Sequence, residues 1–315
     1  MNAIYFTQYG SASVLRYGEQ PTPTLKANQI LVRVRASSVN PIDWKVRRGD
    51  LKLLTGHDFP KIPGRDVAGE VAAVGSQVVR FKVGDRVYGM PNDGTGGANA
   101  EYALLAEPVA AFIPDNLSFE QAGAVPLAAL TALQALRDQG QVLSGDRVLI
   151  NGASGGVGCF AVQLAKALGA GEVTGTCSAE NMDLVRELGA DRVLDYERHN
   201  FTQDSSRYDV VFDAVGKSSF VASQHALRRN GRYVSTDPQP TTVVTDKLAA
   251  AFTNKSAHVL LAKERGTDLA LISAWLQAGT LRVIIDKTFP LSETAAAHEY
   301  SEKGHATGKI VLVVQ

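Results

Sequence analysis

A glycine-rich turn between an apolar run and a helix constrains the fold of this chain more than any other segment. Residues 148–158 read VLINGASGGVG, and the residues after them place apolar side chains at the i, i+3, i+4 spacing of one buried helix face. Glycines let the backbone approach a pyrophosphate, and a helix N-terminus supplies unpaired N–H groups and the positive end of a dipole. The segment predicts a dinucleotide site with Ser154, Gly155, Gly156 and Val157 at the phosphates. A glycine-rich connection in an ordinary α/β protein is the alternative interpretation.

The composition describes a globular chain without a strong electric field. Of 315 residues, 45% are hydrophobic, which is enough for a sizeable core and favours two domains. Lys and Arg total 32, as do Asp and Glu, so the formal net charge of zero argues against nucleic acid or an anionic membrane as a partner. Residues 1–9 carry no secretory pattern and no apolar run approaches 18 residues, so we expect a cytoplasmic protein without a membrane span. Cys159 and Cys177 are expected to be buried, reduced thiols.

The pattern of elements changes near residue 118. Before it, we expect strands of a small β-barrel-like domain at residues 29–36, 66–74, 86–88 and 100–105. After a helical region over 119–138 that is interrupted near Pro126, strands alternate with helices, which predicts a doubly wound parallel sheet. The expected strands of this sheet are 147–151, 172–177, 192–195, 209–214, 231–235 and 257–261. Residues 237–246 are expected to form a loop.

The last segment is expected to return to the first domain. It contains a predicted helix over 267–278, a strand over 282–286, a helix over 291–302 and a strand over 309–314. The expected domains are therefore residues 1–122, 123–264 and 265–315, of which the first and third form one unit.

Five segments give the chain a resemblance to a known superfamily. They are SVNPIDWK over 38–45, PGRDVAGEV over 63–71, VGDRVYG over 83–89, the glycine turn, and HATGKIV over 305–311. Over nearly its whole length the chain resembles the medium-chain dehydrogenase/reductase superfamily, and within it the zinc-independent quinone oxidoreductases. It is most similar to the chloroplast-envelope quinone oxidoreductase homologues and enone oxidoreductases. The resemblance implies a GroES-like β-barrel catalytic domain followed by a Rossmann domain that binds NADPH.

The same resemblance allows zinc binding to be tested on residues. Zinc-dependent relatives have a cysteine where this chain has Asn40, and a His-Glu pair where it has Arg65 and Asp66. A catalytic zinc needs about three thiolate, imidazole or carboxylate ligands. With both ligand positions changed and only two cysteines present, we expect neither a catalytic nor a structural zinc.

Without a metal, the expected acceptors are already activated by conjugation, such as quinones and α,β-unsaturated carbonyls. Their reduction requires placement of the nicotinamide and stabilisation of a developing enolate oxygen. The resemblance places Asn40 beside the nicotinamide, with Asp43 and Lys45 in the same segment. Lys45 is expected to face the oxyanion and Asp43 to orient it. The alternative roles are a helix cap for Asp43 and a solvated surface position for Lys45.

The end of the second strand of the dinucleotide domain favours NADPH over NADH. NAD enzymes place an acidic residue there to bind the ribose hydroxyls, whereas this chain has Ser178. Ser178, Asn181 and Tyr196 match positions that hold the 2′-phosphate in similar enzymes. Those relatives also have a lysine or arginine in this segment, where this chain has Glu180. Arg192 or Arg198 is expected to supply the compensating charge, and NADH stays open as an alternative.

Four further residues are expected at the cofactor, two because of the resemblance (Thr131 and Lys309) and two because ligands bind at the carboxyl ends of parallel strands (Val215 and Gly216). Thr131 is expected at the nicotinamide end, Val215 and Gly216 at a ribose, and Lys309 near the cofactor. Two other functions stay open, namely an acyl-thioester enoyl reductase and an NADPH-binding sensor or structural protein without catalysis. A homodimer through the edge strand near residues 257–261 is also expected.

Overall fold

The computed structural model describes residues 1–91, 96–236 and 240–315, and the side chains of all of these except 240 and 241. The chain forms two compact units. Unit 1 consists of Met1–Leu127, Glu264–Gly279 and Val283–Gln315, and unit 2 consists of Ala128–Lys263 and Thr280–Arg282.

Unit 1 is built on a mostly antiparallel sheet. Its strands are β1 (Asn2–Tyr5), β2 (Arg16–Glu19), β3 (Gln29–Val39), β4 (Val67–Val74), β5 (Arg86–Gly89), β6 (Tyr102–Ala106) and β7 (Ala110–Phe112), and, near the C-terminus, Ile285–Pro290 and Lys309–Val313, numbered β14 and β15 below. The strand order is β14-β15-β3-β4-β5-β7; β6 pairs with β3, and β1 pairs with β2 in a separate ribbon.

β3 is the central strand of unit 1. Ile30, Val32 and Val34 point into the core, which confirms the predicted alternation. The strand runs three residues beyond its predicted end because Ser37 and Ser38 are buried between neighbouring strands, so the alternation stops before the strand does. The predicted strand over 282–286 lies instead at Ile285–Pro290, because its bounds are set by pairing with β15, some twenty residues later.

Helices of unit 1 surround this sheet. They are α1 (Pro41–Arg48), α2 (Lys52–Thr55) and α3 (Phe119–Gly123), and the later helices Gly266–Gln277 and Thr294–Glu302, numbered α9 and α10 below. Between α3 and α9, helix α4 (Pro126–Gln134) begins in unit 1 and continues into unit 2.

Unit 2 contains a parallel sheet. Its strands are β8 (Arg147–Asn151), β9 (Glu172–Cys177), β10 (Arg192–Asp195), β11 (Tyr208–Asp213), β12 (Leu227–Ser235) and β13 (Ser256–Val259). The order is β10-β9-β8-β11-β12-β13, and all described neighbours are parallel. This is the strand order of a doubly wound Rossmann sheet, the type of sheet predicted from the sequence. Chain order runs towards one edge of the sheet from β8 and towards the other edge from β11, and ligands of such sheets bind between these two strands.

Helices of unit 2 connect these strands. They are α5 (Gly156–Ala167), α6 (Met182–Glu187), α7 (Phe220–Ser223) and α8 (Pro240–Ala251), and a π-helical stretch, Ala135–Gln139, follows α4. The loop predicted over 237–246 is wrong from residue 240 onward, where α8 begins at a proline that fits the first turn of a helix. Residues 237–239 lie outside the described part of the chain.

Candidate functional site

The glycine turn joins the end of β8 to the start of α5 with almost no space for side chains. Gly152 has φ +82°, and a Cβ there would lie 2.3 Å from Cγ1 of Val215. A Cβ on Gly158 would lie 2.0 Å from the Gly152 carbonyl oxygen. Gly155 caps α5, whose first-turn N–H groups have no partner within the helix. The turn therefore has the shape and the donors that a dinucleotide pyrophosphate requires, with Ser154, Gly155, Gly156 and Val157 all partly exposed.

The buried carboxylate of Asp213 binds the residue that precedes the glycine turn and the loop that follows β11. Asn151, the last residue of β8, donates from Nδ2 to Oδ1 of Asp213 at 3.0 Å. The same carboxylate accepts from the backbone N–H groups of Val215 at 3.3 Å, Gly216 at 3.1 Å and Ser218 at 2.7 Å, and from the Tyr233 hydroxyl at 3.2 Å. Asp213 is fully buried, so these donors replace water around its charge.

This network continues into the next strand. Thr176 of β9 donates from its hydroxyl to Oδ1 of Asn151 at 2.7 Å and accepts from the backbone N–H of Gly152 at 3.1 Å. The structure thus brings the glycine turn and the predicted cofactor residues Val215 and Gly216 together through side chains that the sequence analysis did not assign.

Ser178, Asn181 and Tyr196 gather at the carboxyl ends of β9 and β10. Asn181 donates from Nδ2 to the Ser178 hydroxyl at 3.0 Å, and the Tyr196 backbone N–H bonds to the Cys177 carbonyl at 3.1 Å. Glu180, which is exposed, accepts from the same Ser178 hydroxyl at 3.3 Å. The acidic side chain therefore lies beside the group expected to bind a 2′-phosphate.

The two arginines expected to compensate Glu180 differ in position. Arg192 begins β10, pairs in register with Thr174 and approaches Glu172 at 3.9 Å, so it lies at the amino end of these strands. Arg198 follows the carboxyl end of β10, where its Nε lies 3.4 Å from Asp195 and its side chain is 86% exposed. Arg198 alone of this pair lies at the end of the sheet where the phosphate is expected.

A second polar cluster is buried in unit 1. Asp66 accepts at Oδ2 from Asn40 Nδ2 at 2.8 Å and from the Ser38 hydroxyl, and at Oδ1 from the backbone N–H of Leu127 at 2.7 Å. Lys309 donates from Nζ to Asn40 Oδ1 at 2.5 Å and lies 3.4 Å from Asp66 Oδ2. The four residues whose side chains form this cluster are each at most 4% exposed: Ser38, Asn40, Asp66 and Lys309.

Three neighbouring strands assemble this cluster. Asn40 follows β3, Asp66 precedes β4, and Lys309 begins β15, whose next residue pairs with Val39. Lys309 lies 269 residues from Asn40 along the chain, so no local sequence pattern connects them. The sequence analysis assigned Lys309 to the cofactor, but not to the surroundings of Asn40.

Asp43 and Lys45 occupy different environments on α1. Asp43 is buried, and its Oδ2 accepts from the Asn40 backbone N–H at 2.8 Å, which is the helix-capping arrangement given above as the alternative. Burial raises the pKa of Asp43 to about 7, with the Asn40 N–H lowering it and Asp66 raising it further. Lys45 is partly exposed, and its Nζ lies 6.0 Å from the centroid of the Trp44 ring.

Other sequence-predicted groups are placed as follows. Thr131 is buried in α4, within unit 2. Cys159 and Cys177 are free and buried as expected, and burial raises the pKa of their thiols to about 12 and about 11.

Within residues 1–91, 96–236 and 240–315, no group of three or more His, Cys, Asp or Glu side chains could hold a metal ion. In the same residues, no helix combines the length and the apolar character needed to cross a membrane.

Arg65, which stands where zinc-dependent relatives have the histidine of the His-Glu pair, forms an ion pair with Glu264. Its Nη1 lies 3.6 Å from Glu264 Oε1, and its side chain is mostly buried. The guanidinium is therefore part of an ion pair within unit 1.

Two protein families match parts of this chain. One is described as an alcohol dehydrogenase GroES-like domain and matches residues 26–115, and the other is described as a zinc-binding dehydrogenase and matches residues 188–312. The chloroplastic quinone-oxidoreductase homolog of Spinacia oleracea is 39% identical over 325 residues, covering 99% of this chain and 98% of the relative. The chloroplastic NADPH-dependent alkenal/one oxidoreductase of Arabidopsis thaliana is 34% identical, covering 99% of this chain and 79% of the relative.

Solved structures agree with these relatives. The quinone oxidoreductase from Coxiella burnetii superposes with a TM-score of 0.92 at 36% identity, covering 100% of this chain and 99% of the other. The Escherichia coli quinone oxidoreductase complexed with NADPH gives 0.83 at 27% identity, covering 99% and 100%. The predicted fold class, a GroES-like domain with a Rossmann domain, is confirmed, and so is the predicted resemblance.

Proposed function

The chain belongs to the quinone oxidoreductase family of the medium-chain dehydrogenases/reductases, and from this premise we propose that it is an NADPH-dependent reductase of quinones or α,β-unsaturated carbonyls that works without zinc. The buried cluster of Asn40, Asp66 and Lys309 carries this proposal. Asn40 stands where zinc-dependent relatives have a cysteine and Asp66 where they have the glutamate of a His-Glu pair, and here the amide and the carboxylate both contact a lysine ammonium. The Lys309 ammonium contacts both side chains, and a positive charge at this place disfavours a divalent ion.

The proposed zinc-free reaction would restrict the acceptors. A zinc ion acts as a Lewis acid that contributes several kcal/mol when it polarises a ketone or alcohol oxygen. A quinone or enone needs less help, because hydride addition at the carbon β to the carbonyl moves the electron pair onto oxygen through the conjugated system. The protein then has to position the acceptor, exclude water and stabilise the oxyanion until a proton from solvent completes the product.

We assign these tasks to residues of unit 1. Asn40 is held rigidly, with its oxygen towards Lys309 and its nitrogen towards Asp66, and is proposed to lie beside the nicotinamide. Lys45 carries a positive charge at a partly exposed position, from which its flexible stem can bring an N–H to the oxyanion. Asp43 fixes the Asn40 backbone and thereby the start of α1, on which Lys45 lies.

We assign the cofactor to unit 2. A reduced nicotinamide dinucleotide supplies a hydride when it is bound. Ser154, Gly155, Gly156 and Val157 are proposed to bind its phosphates through the N-terminus of α5, and Val215 and Gly216 to contact a ribose, with Thr131 towards the nicotinamide. Lys309, which belongs to unit 1, is likewise proposed to lie towards the nicotinamide. Ser178, Asn181 and Tyr196 are proposed to bind the 2′-phosphate with help from Arg198. The domain boundaries at residues 122 and 264 and the cytoplasmic location remain predictions.

Reduction of a matched pair of ketones tests the function. Purified protein with NADPH should reduce cyclohex-2-enone and 1,4-naphthoquinone, but not cyclohexanone, which lacks the conjugated double bond. Loss of reduced-nicotinamide absorbance is measured before and after treatment with EDTA, and the rates should be equal. Tight NADPH binding without turnover of either acceptor would favour a sensor, and loss of activity with EDTA would contradict a zinc-free reaction.

A further inference from the structure

Lys309 is a buried cation whose nearest described partner is neutral. Its ammonium lies 2.5 Å from the Asn40 amide oxygen but 3.4 Å from the nearest oxygen of Asp66. Burying an ammonium is costly unless nearby groups replace its hydration. Here the Asn40 amide oxygen and the Asp66 carboxylate are the groups that replace it.

Asp66 has three other hydrogen-bond partners, all of them neutral. The Ser38 hydroxyl, the Asn40 amide and the backbone N–H of Leu127 donate to it, so three donors surround the carboxylate before Lys309 is counted. Lys309 therefore adds a charge to this cluster, and its hydrogen bond goes to the Asn40 amide oxygen.

We propose that Lys309 is a positioning residue of the reduction: its ammonium fixes the direction of the Asn40 amide and places a positive charge beside it. The inference rests on the proposed function. The amide oxygen of Asn40 faces the cation and its nitrogen faces the anion, so the two charges together allow a single orientation of this side chain. The same positive charge lowers the energy of negative charge that develops on a carbonyl oxygen near Asn40.

Charge-neutral replacement of the pair separates this role from simple ion pairing. Four variants are compared with the wild type: Lys309→Met, Lys309→Arg, Asp66→Asn, and the double variant Lys309→Met/Asp66→Asn. For each we measure the unfolding temperature, NADPH affinity by fluorescence, and kcat and KM for cyclohex-2-enone. Lys61→Met is the matched control, because Lys61 is also a buried lysine of unit 1 and donates to the Thr55 carbonyl at 2.8 Å, away from Asn40.

Lys309→Met should lower the unfolding temperature and reduce kcat about 100-fold, while KM for cyclohex-2-enone changes less than about threefold. The double variant should regain part of the unfolding temperature, because no unpaired charge remains buried although the new amide leaves a donor without an acceptor, but its kcat should stay about 100-fold low. Lys309→Arg, which keeps the charge, should recover part of the lost kcat. Lys61→Met should lower the unfolding temperature and leave kcat unchanged.

Two results would overturn the inference. A double variant that regains both stability and kcat would make Lys309 a counter-ion of Asp66 and nothing more. A Lys309→Met protein as active as the wild type would do the same. A wild type that reduces neither acceptor would instead overturn the proposed function, and this inference with it.

Discussion

Asn151 and Asp213 face each other across β8 and β11, and the Asn151 amide donates to the Asp213 carboxylate at 3.0 Å at the point where the strand order reverses. One oxygen of Asp213 thus binds the end of the strand that leads into the glycine turn. Both of its oxygens also bind backbone N–H groups of residues 215–218. The turn and the loop opposite it therefore share one anchor.

Asp213→Asn should weaken NADPH binding about tenfold or more. The substituted amide keeps the size of the side chain, but its NH2 group faces N–H donors and leaves at least one of them buried without an acceptor, at a cost of about 1–3 kcal/mol. Isothermal titration with NADPH measures the effect.

Asp246→Asn is the control for this substitution. Asp246 is also a buried aspartate of unit 2 that accepts from backbone N–H groups, those of Phe220 at 2.9 Å and Val221 at 3.3 Å. The control should lose stability but keep its affinity for NADPH. Equal affinity losses in both variants would show that general loosening of unit 2, and not the anchor, sets cofactor binding.

Glu180→Arg should raise the preference for NADPH over NADH. The Glu180 carboxylate accepts from Ser178 and would repel a 2′-phosphate bound there, whereas an arginine would pair with it. We expect NADPH affinity to rise about tenfold and NADH affinity to change little. Glu187→Arg makes the same change of charge at the other end of α6 and should alter neither. Unchanged NADPH affinity in Glu180→Arg would place the side chain away from the phosphate.

The sequence was sufficient where structure follows from local patterns. The apolar runs of β8, β9 and β10 and the glycine turn are contiguous segments, and their predicted positions agree with the structure. The contacts of Asp213 with Asn151 and of Lys309 with Asn40 join residues that are far apart in the chain. Asp213 is joined to Asn151 by sheet register, and Lys309 to Asn40 by strand pairing across most of the chain, so neither contact has a sequence period.

One signal could have indicated Asp213 beforehand. It is the last residue of β11 and directly follows the buried apolar run VVF, in a predicted doubly wound sheet. Polar side chains at the carboxyl ends of such strands lie at the ligand site. No comparable rule would have placed Lys309 beside Asn40, because a lysine at the start of a strand is ordinarily exposed.

Asp43 should make the protein less stable as pH rises towards neutrality. Its pKa is raised to about 7 by burial, so between pH 4 and pH 7 the unfolded chain releases a proton that the folded chain keeps. The free energy of unfolding contributed by this group therefore falls with rising pH over that window, by on the order of 3 kcal/mol between pH 5 and pH 8. Below pH 4 the contribution is constant.

Urea unfolding of Asp43→Asn at pH 5 and pH 8 checks this sign. The asparagine can still accept from the Asn40 N–H but does not titrate, so the variant should gain stability relative to the wild type as pH rises. Asp58→Asn, at an exposed position of unit 1, serves as the control and should show no such trend. A difference between Asp43→Asn and wild type that is the same at both pH values would mean that the carboxyl ionises in its ordinary range.

The outer edge of the parallel sheet supports the expected homodimer. In the described residues β13 is the last strand of its sheet, so one side of its backbone has no strand partner. Val244, Leu248 and Phe252 follow at four-residue intervals along and just beyond α8, and they are 57%, 59% and 89% exposed. A second copy that pairs β13 with β13 would satisfy the edge and cover the apolar stripe beside it.

Light scattering at micromolar concentration should return twice the chain mass for the wild type. Leu248→Glu should shift the mass towards a single chain, because a carboxylate would be buried at the interface. Leu53→Glu, at a position of unit 1 that is 95% exposed, should not. A single-chain mass for the wild type would exclude the dimer, and an unchanged mass for Leu248→Glu would move the interface away from this edge.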